Sequence, residues 1–323
     1  MNAPPPSDFN SASTSNSASK SVVNPEGLFL YTIGKLKENM ATRTIPQRLE
    51  DPQYDRVFGE RILLLIFNLC RNEFSEYDRQ LKNFIVFSAE FLRLQVELER
   101  TGKYHFASYA DAKQAIYENP EVMENRYLYG LLFSQALWIN HHKIFQFFLQ
   151  NFCVPASSLP ERKVLEVPVG TGIFLAEFLR SCPAWKGEGY DISPSAISFS
   201  QKTMALLFPN AHLEKKDVFA ISEDKKYDRI ICGLLLENLE DPRSLLKKLG
   251  SLLAPQGKIF LTSNAWASTL DHIYLFISVR EIKSLLEEFF FIEKELSIAL
   301  FPGKSAEEEK TPVNYACILQ PKV

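Results

Sequence analysis

Apolar residues recur every three or four positions through the first half of the chain, whereas the second half sets short apolar runs between amphipathic stretches. The helical spacing predicts helices over residues 29–40, 54–72, 78–100, 109–118 and 123–152. Breaks such as Thr44-Ile45-Pro46 and Asn119-Pro120 separate them. A Ser/Asn/Pro-rich tail over residues 1–25 has too little apolar content for a core and reads as disordered. A segment with two prolines, residues 154–162, reads as a linker.

Beyond the linker the period changes. KVLEV, from Lys163, reads as a strand, 172–181 as a helix and GEGYDI as a second strand. Residues 194–207 follow as a helix, with Ser193 as N-cap and Pro194 in its first turn. Strands are expected near 212–213 and over 227–232, then a helix over 242–253. PQGKIFLTS gives a turn and a strand, and a helix is expected over 278–288. Two last strands, 290–298 and 314–319, flank the acidic SAEEEK loop. Alternation of this kind implies an α/β fold, a mostly parallel sheet with helices on both faces. An all-α segment precedes it. The expected organisation is a tail over 1–25, a helical lid or substrate domain over 26–153 and a ligand-binding α/β domain over 154–323. Ligands of such sheets bind beyond the carboxyl ends of the strands.

Composition narrows the function. In 323 residues, 36 basic and 39 acidic side chains leave a net charge of −3, which argues against a broad nucleic-acid surface. Five scattered cysteines without a CxxC pair form neither a disulfide framework nor a zinc site, and a reducing cytoplasm is the expected setting. The longest aliphatic–aromatic run, ILLLIF from Ile62, is far short of the roughly 18 residues a membrane helix needs. The N-terminal tail lacks the apolar segment of a signal peptide.

The stretch from Lys163 to Gly172, KVLEVPVGTG, carries the chemistry. An acid sits inside an apolar strand, and two glycines stand where the strand turns into a helix. A dinucleotide fingerprint asks for a third glycine, and Leu175 stands in that place. The Lys-Ser/Thr pair of a P-loop is missing as well. Glu166 would repel a pyrophosphate, and a ligand bearing a positive charge or a free amine suits it better.

Glu166-x-Pro168-x-Gly170-x-Gly172 resembles the first motif (E/D-x-G-x-G-x-G) of the class I S-adenosylmethionine-dependent methyltransferases, with Pro168 in place of the first glycine. Asp191 in GYDIS, the loop Lys216-Asp217-Val218-Phe219, the strand Tyr227–Cys232 and its continuation Leu236-Glu237-Asn238-Leu239-Glu240-Asp241-Pro242 follow in that family's order. The last stretch is similar to the quinone-biosynthesis branch, and Leu253-Ala254-Pro255-Gln256-Gly257 resembles its turn before the fifth strand. The resemblance covers about residues 160–323. It implies a Rossmann-like seven-stranded sheet and S-adenosylmethionine as cofactor. It places that cofactor among Glu166, Val167, Pro168, Gly170, Gly172, Asp191, Ile192, Asp217, Val218 and Gly233. Glu166 would order the turn or meet the amino group, Asp191 the ribose and Asp217 the adenine amine.

The expected reaction moves the methyl group to an oxygen or nitrogen of a small, partly hydrophobic metabolite. A non-catalytic binding protein and a carrier-tethered or protein acceptor are the alternatives. Relatives usually carry histidine where this chain has Asn238, and an amide cannot accept a proton near neutrality. That chemistry is then absent or moved. His272, grouped with Asp271, Tyr274 and Trp266 after the fifth strand, is the candidate base, with Glu237 beside it. Asn238, Asp271, Tyr274, Trp266, Tyr127 and Tyr129 are the candidate acceptor contacts. His141 and His142 are adjacent, so they face different sides of a helix and cannot share a metal. No metal is expected, the partner expected is a small molecule rather than nucleic acid or membrane, and the aromatic helices leave room for a homodimer.

Overall fold

Asn24 accepts the amide of Glu26, and Pro25, which has no amide hydrogen, follows it, so two of the unpaired positions at the helix start are accounted for. The computed structural model describes residues 24–153 and 162–322; most of the expected tail and linker lie outside the described residues. The first half is helical: α1 (Pro25–Lys37), α2 (Ile45–Arg48), α3 (Arg56–Leu69), α4 (Phe74–Thr101), α5 (Tyr109–Ala112), α6 (Pro120–Val122), α7 (Leu128–Leu137) and α8 (Ile139–Asn151). Asp55 caps α3 by accepting the amide of Phe58 at 3.0 Å.

Three local differences from the periodicity matter. Residues expected as a break at Thr44–Pro46 run into the short α2, Pro46 standing in its first turn. Residues Lys113–Tyr117 and Met123–Tyr127 wind as π-turns, which take one extra residue per turn and shift every side chain after them. The long helix expected over 123–152 breaks at Trp138, whose backbone is extended (φ −99°, ψ 113°). That single residue re-aims α8 relative to α7.

The second half runs β1 (Lys163–Glu166), α9 (Ile173–Ser181), β2 (Lys186–Asp191), α10 (Pro194–Leu207), β3 (His212–Lys215), β4 (Tyr227–Gly233), α11 (Pro242–Leu252), β5 (Leu253–Ala265), α12 (Val279–Leu286), β6 (Phe290–Ala299) and β7 (Val313–Pro321). These strands form one seven-stranded sheet in the order β3-β2-β1-β4-β5-β7-β6. The first five pair in parallel, while β7 runs antiparallel to both β5 and β6. The strand order reverses on either side of β1, and the carboxyl ends of β1 and β4 lie side by side there. This is the switch point at which open α/β sheets bind ligands.

One face of the sheet is covered by α11 and α12, with Leu245, Leu249, Ile282 and Leu286 buried there. The other face carries α9 and α10, and onto it the helical half packs without a seam. Phe145 and Phe148 of α8 lie against Phe174 of α9 (ring centres 4.5 and 5.0 Å), and Phe148 also meets Phe260 of β5 at 4.9 Å. The N-terminal helices and this face therefore share one apolar core. Polar ties fix the rest: Gln95 of α4 donates to the carbonyl of Trp266 and accepts the amide of Ser268, both at 3.0 Å.

Candidate functional site

Between the strand ends and the helical half lies a cleft of about 390 Å³. Its floor is the turn after β1. The Val167–Pro168 bond is cis, Val169 donates to Tyr190 of β2 at 2.9 Å, and Gly170 and Gly172 take left-handed backbone (φ 47° and 73°). The two glycines serve different ends. A Cβ on Gly170 would meet nothing within 4 Å, and this residue lines the cleft, so its backbone is open to a ligand. A Cβ on Gly172 would lie 2.9 Å from the Cβ of Ser200, so that glycine lets α9 approach α10. Gly172 does not line the cleft, and the expectation that both glycines face a ligand is corrected accordingly.

Every other residue expected around the cofactor does line it: Glu166, Val167, Pro168, Gly170, Asp191, Ile192, Asp217, Val218 and Gly233. The acid inside β1 has a partner, because Glu166 Oε2 accepts the amide of Leu175 in the first turn of α9 at 3.0 Å. Its carboxyl is held well above the usual carboxylate range, first by burial and further by Asp191. Asp191 accepts two amides, Gly170 on Oδ2 (3.0 Å) and Ser193 on Oδ1 (2.9 Å). Burial pushes its pKa up to about 6 against those hydrogen bonds. Each carboxylate oxygen has a second lone pair, so Asp191 can still accept from a ligand. Asp217 caps the turn that presents Phe219, accepting that residue's amide at 2.9 Å, and the Phe219 ring is left part-exposed at the cleft.

Three acidic side chains, Glu166, Asp191 and Asp217, thus line one end of the cleft. The single lysine there, Lys216, is tied to Glu214 at 2.9 Å and lies over the Tyr190 ring. Such an end favours a cationic ligand and disfavours a pyrophosphate. The residues present fit a sulfonium carrying an amino group: acids for the charge, a glycine whose missing Cβ leaves room for close approach, and an aromatic face at the edge.

The opposite end is built by the helical half. Tyr117, Tyr127, Met123, Leu131 and His141 line it, with Leu234 and Asn238 from the loop after β4 and Asn314 from β7, whereas Tyr109 borders the cleft within electrostatic reach of Asp217 and Asp191. Behind it a pocket of about 30 Å³ shares Tyr127, His141, Asn238 and Asn314 and is closed by Asp271 and His272. Asp271 is the hub. Its Oδ2 accepts from the Tyr117 hydroxyl (2.8 Å), the Tyr127 hydroxyl and the Asn238 amide (2.9 Å), and its Oδ1 from Thr269 (2.7 Å). One carboxylate therefore joins two π-turns of the lid to the loop after β4.

The expected catalytic pair lies elsewhere. His272 is almost fully buried; its Nδ1 donates to the carbonyl of Ala267 (2.8 Å), and its Nε2 faces Glu237 at 3.7 Å. It borders only the small rear pocket, and burial lowers its pKa. Glu237 borders neither space, since Ser263 (2.7 Å) and Asn264 (3.0 Å) donate to its carboxyl from β5. Burial pushes its pKa up to about 8. These two sit behind the wall of the cleft, which corrects the expectation that they face the acceptor.

Of the expected acceptor contacts, Tyr127 and Asn238 line the cleft and Asp271 the rear pocket. Trp266, Tyr274 and Tyr129 line neither space. Trp266 is a backbone strut between Gln95 and Phe276, Tyr274 packs on Phe276 at the surface, and Tyr129 packs on Phe199. The sequence does not mark Tyr117 or His141 as contacts. An aromatic-rich amphipathic pattern hides which ring faces a cavity, and the π-turn before α7 moves the register that would reveal it.

Among the described residues no cluster of three or more His, Cys, Asp or Glu is placed to hold a metal. Nor, among the described residues, is any helix long and apolar enough to cross a membrane.

Comparison with known proteins agrees with this architecture. Residues 139–291 match the family model described as a methyltransferase domain, a match that begins inside the helical half, at the start of α8. The chain is 28% identical over 166 residues to malonyl-acyl-carrier-protein O-methyltransferase 1 of Ilyobacter polytropus, covering 45% of this chain and 62% of that protein. It is 30% identical over 107 residues to the ubiquinone biosynthesis O-methyltransferase of Coxiella burnetii, covering 33% and 45%. The chain thus spans less than two thirds of the length of these curated relatives. Among solved structures, N-methyltransferase NodS from Bradyrhizobium japonicum, in complex with S-adenosyl-L-homocysteine, aligns with a TM-score of 0.47 and 16% identity, covering 67% of this chain and all of that one. The methyltransferase-domain match over residues 139–291 thus runs through the sheet whose switch point carries the cleft, with the turn after β1 on its floor.

Proposed function

We propose that this protein binds S-adenosylmethionine at the acidic end of the cleft and methylates an oxygen or nitrogen of a small, partly apolar acceptor held at the helical end. The observation that carries the reading is one continuous space walled at one end by Glu166, Asp191 and Asp217 and at the other by Tyr117, Tyr127 and Leu131. Bound there, the cofactor supplies an activated methyl group with a good leaving group. The protein's part is then chiefly positioning, where orientation is worth up to about 7–11 kcal/mol.

The residues divide that work. Glu166 and Asp191 hold the turn after β1 in shape, and Asp191 puts negative charge beside it. Gly170 leaves the backbone accessible. Asp271 holds Tyr117 and Tyr127 over the acceptor end, and the apolar helices keep water out. Five buried free thiols among the described residues suit a reducing cytoplasm. A small-molecule partner is proposed, without a nucleic-acid or membrane surface; a homodimer through the aromatic helices stays a proposal of the same rank.

Calorimetric titration with S-adenosylhomocysteine tests the reading. Binding at one site per chain, weakened on substituting Asp191, is the expected result; a folded protein that binds neither this compound nor S-adenosylmethionine overturns it. A second reading, a binding protein that no longer catalyses, draws on Asn238 standing where relatives carry histidine. Cofactor binding with no transfer of labelled methyl to any fraction of a cell extract would favour it.

A further inference from the structure

The proton acceptor that Asn238 cannot be has a replacement on the facing wall. Ser134 of α7 donates its hydroxyl to the carbonyl of Leu131 at 2.7 Å, and the same oxygen lies 2.7 Å from Nδ1 of His141. A serine hydroxyl has one proton. With that proton on Leu131, the contact to His141 requires the proton on Nδ1, and the lone pair of the ring is on Nε2. The extended backbone at Trp138 allows this, folding α8 back so that residues seven apart meet, and the Trp138 ring packs on the imidazole at 5.1 Å. Nε2, on the edge away from Ser134, has no hydrogen-bond partner among the described residues, and the ring borders both the cleft and the rear pocket. Burial holds it neutral.

Two further groups show what this wall awaits. The Asn238 amide nitrogen is committed to Leu234, Tyr117 and Asp271, which leaves its Oδ1 buried without a partner. Gln135 Oε1, bordering the same cleft, is likewise unpartnered. Acceptors without donors call for a ligand that brings a donor. Among the described residues no lysine or arginine borders the rear pocket, and the one lysine lining the cleft is tied to Glu214. A carboxylate would find no counter-charge here and would face Asp271.

We infer that His141, set in its tautomer by Ser134, takes the proton from an uncharged, hydroxyl-bearing acceptor that also donates toward Asn238 and Gln135. The inference rests on the methyl-transfer reading. The acceptor's O–H bond gives its proton to Nε2 while an oxygen lone pair forms the new bond to the methyl carbon. The carbon–sulfur bond breaks with its electron pair left on sulfur, and His141 then returns the proton to water. His141 is the catalytic residue in this scheme and Ser134 a positioning residue.

The test is nitrogen-15 NMR of the histidine rings in the full chain saturated with S-adenosylhomocysteine, with His141→Asn to assign the signals. Expected are a protonated Nδ1 and a bare Nε2 for His141, a mixture of tautomers in Ser134→Ala, and a shift of the Nε2 signal on adding 2-naphthol but not 2-naphthoate. A protonated Nε2 in the unsubstituted protein overturns the inference, as does a response to the naphthoate alone or to neither probe. Should S-adenosylhomocysteine fail to bind, the methyl-transfer reading falls, while the tautomer, read in the free protein, still reports on the Ser134–His141 pair. His141→Asn is expected to keep its affinity for S-adenosylhomocysteine within about twofold, since the ring lies at the other end of the cleft.

Discussion

Asp191, at the end of β2, accepts the amide of Gly170 in the turn after β1 at 3.0 Å, so the acid of one strand shapes the ligand-facing loop of its neighbour. Asp191→Ala removes that brace and a lone-pair site for the ligand together. Affinity for S-adenosylhomocysteine is expected to fall by on the order of 1.5–3 kcal/mol, the range for hydrogen bonds to a charged group, measured by calorimetry.

The same carboxyl sets a pH dependence. With its pKa near 6, Asp191 is ionised above that value and neutral below it. A cationic ligand prefers the ionised form, so affinity for S-adenosylmethionine should weaken as pH falls through about 6, and Asp191→Asn should flatten that part of the profile. A titration series between neutral and mildly acid pH reads it directly.

The two glycines of the turn should separate in their effects. Gly172→Ala drives a Cβ into Ser200 and is expected to lower stability by about 1–3 kcal/mol from overpacking, beyond the cost of left-handed backbone. Gly170→Ala meets no atom, so its stability cost is the backbone term alone, about 1–2 kcal/mol, while its methyl enters the cleft and weakens cofactor binding. Chemical denaturation beside calorimetry distinguishes the pair.

Glu237 makes the ligand-free protein lose stability as pH rises. Its folded pKa, near 8, lies above the ordinary carboxylate value, so over that interval the folded state holds a proton that the unfolded chain releases. Its contribution is complete below the ordinary value and is lost as pH climbs through about 8. Glu237→Gln should reduce the slope of stability against pH by up to about one proton per molecule in that window. An unchanged slope would show that the carboxyl titrates normally.

Asp271→Ala leaves the Tyr117 and Tyr127 hydroxyls and the Asn238 amide without their common acceptor. A loss of at least about 3 kcal/mol is expected, because several hydrogen bonds to a buried charge go together. Hydrogen exchange should quicken in residues 113–127 ahead of the sheet.

Much of the α/β half is legible from residue order because its signals are local. KVLEV followed by glycines gives strand, turn and helix, and Ser193-Pro194 starts α10 as its capping chemistry requires. What escapes is set by contacts distant in sequence. Trp138 carries no helix-breaking signature, yet its extended backbone separates α7 from α8 between Ser134 and His141, which meet at 2.7 Å. The π-turns before α7 leave no mark in a three-to-four-residue period, so the inward turn of Tyr117 is invisible until Asp271 is seen to hold it. Gly172 stands in the motif beside Gly170, and only the approach of Ser200 shows that it serves packing. His272 looked exposed to chemistry because it follows the fifth strand; Ala267 and Glu237 draw it behind the wall instead.

The phenylalanines that join α8 to α9 and β5 limit how this molecule can be dissected. Cutting the gene between the halves would leave Phe174 and Phe260 facing water on one fragment and Phe145 and Phe148 on the other. Neither product should behave as a soluble unit, and engineers seeking a new acceptor range would do better to exchange side chains along α7 and α8 than to swap the helical half as a cassette.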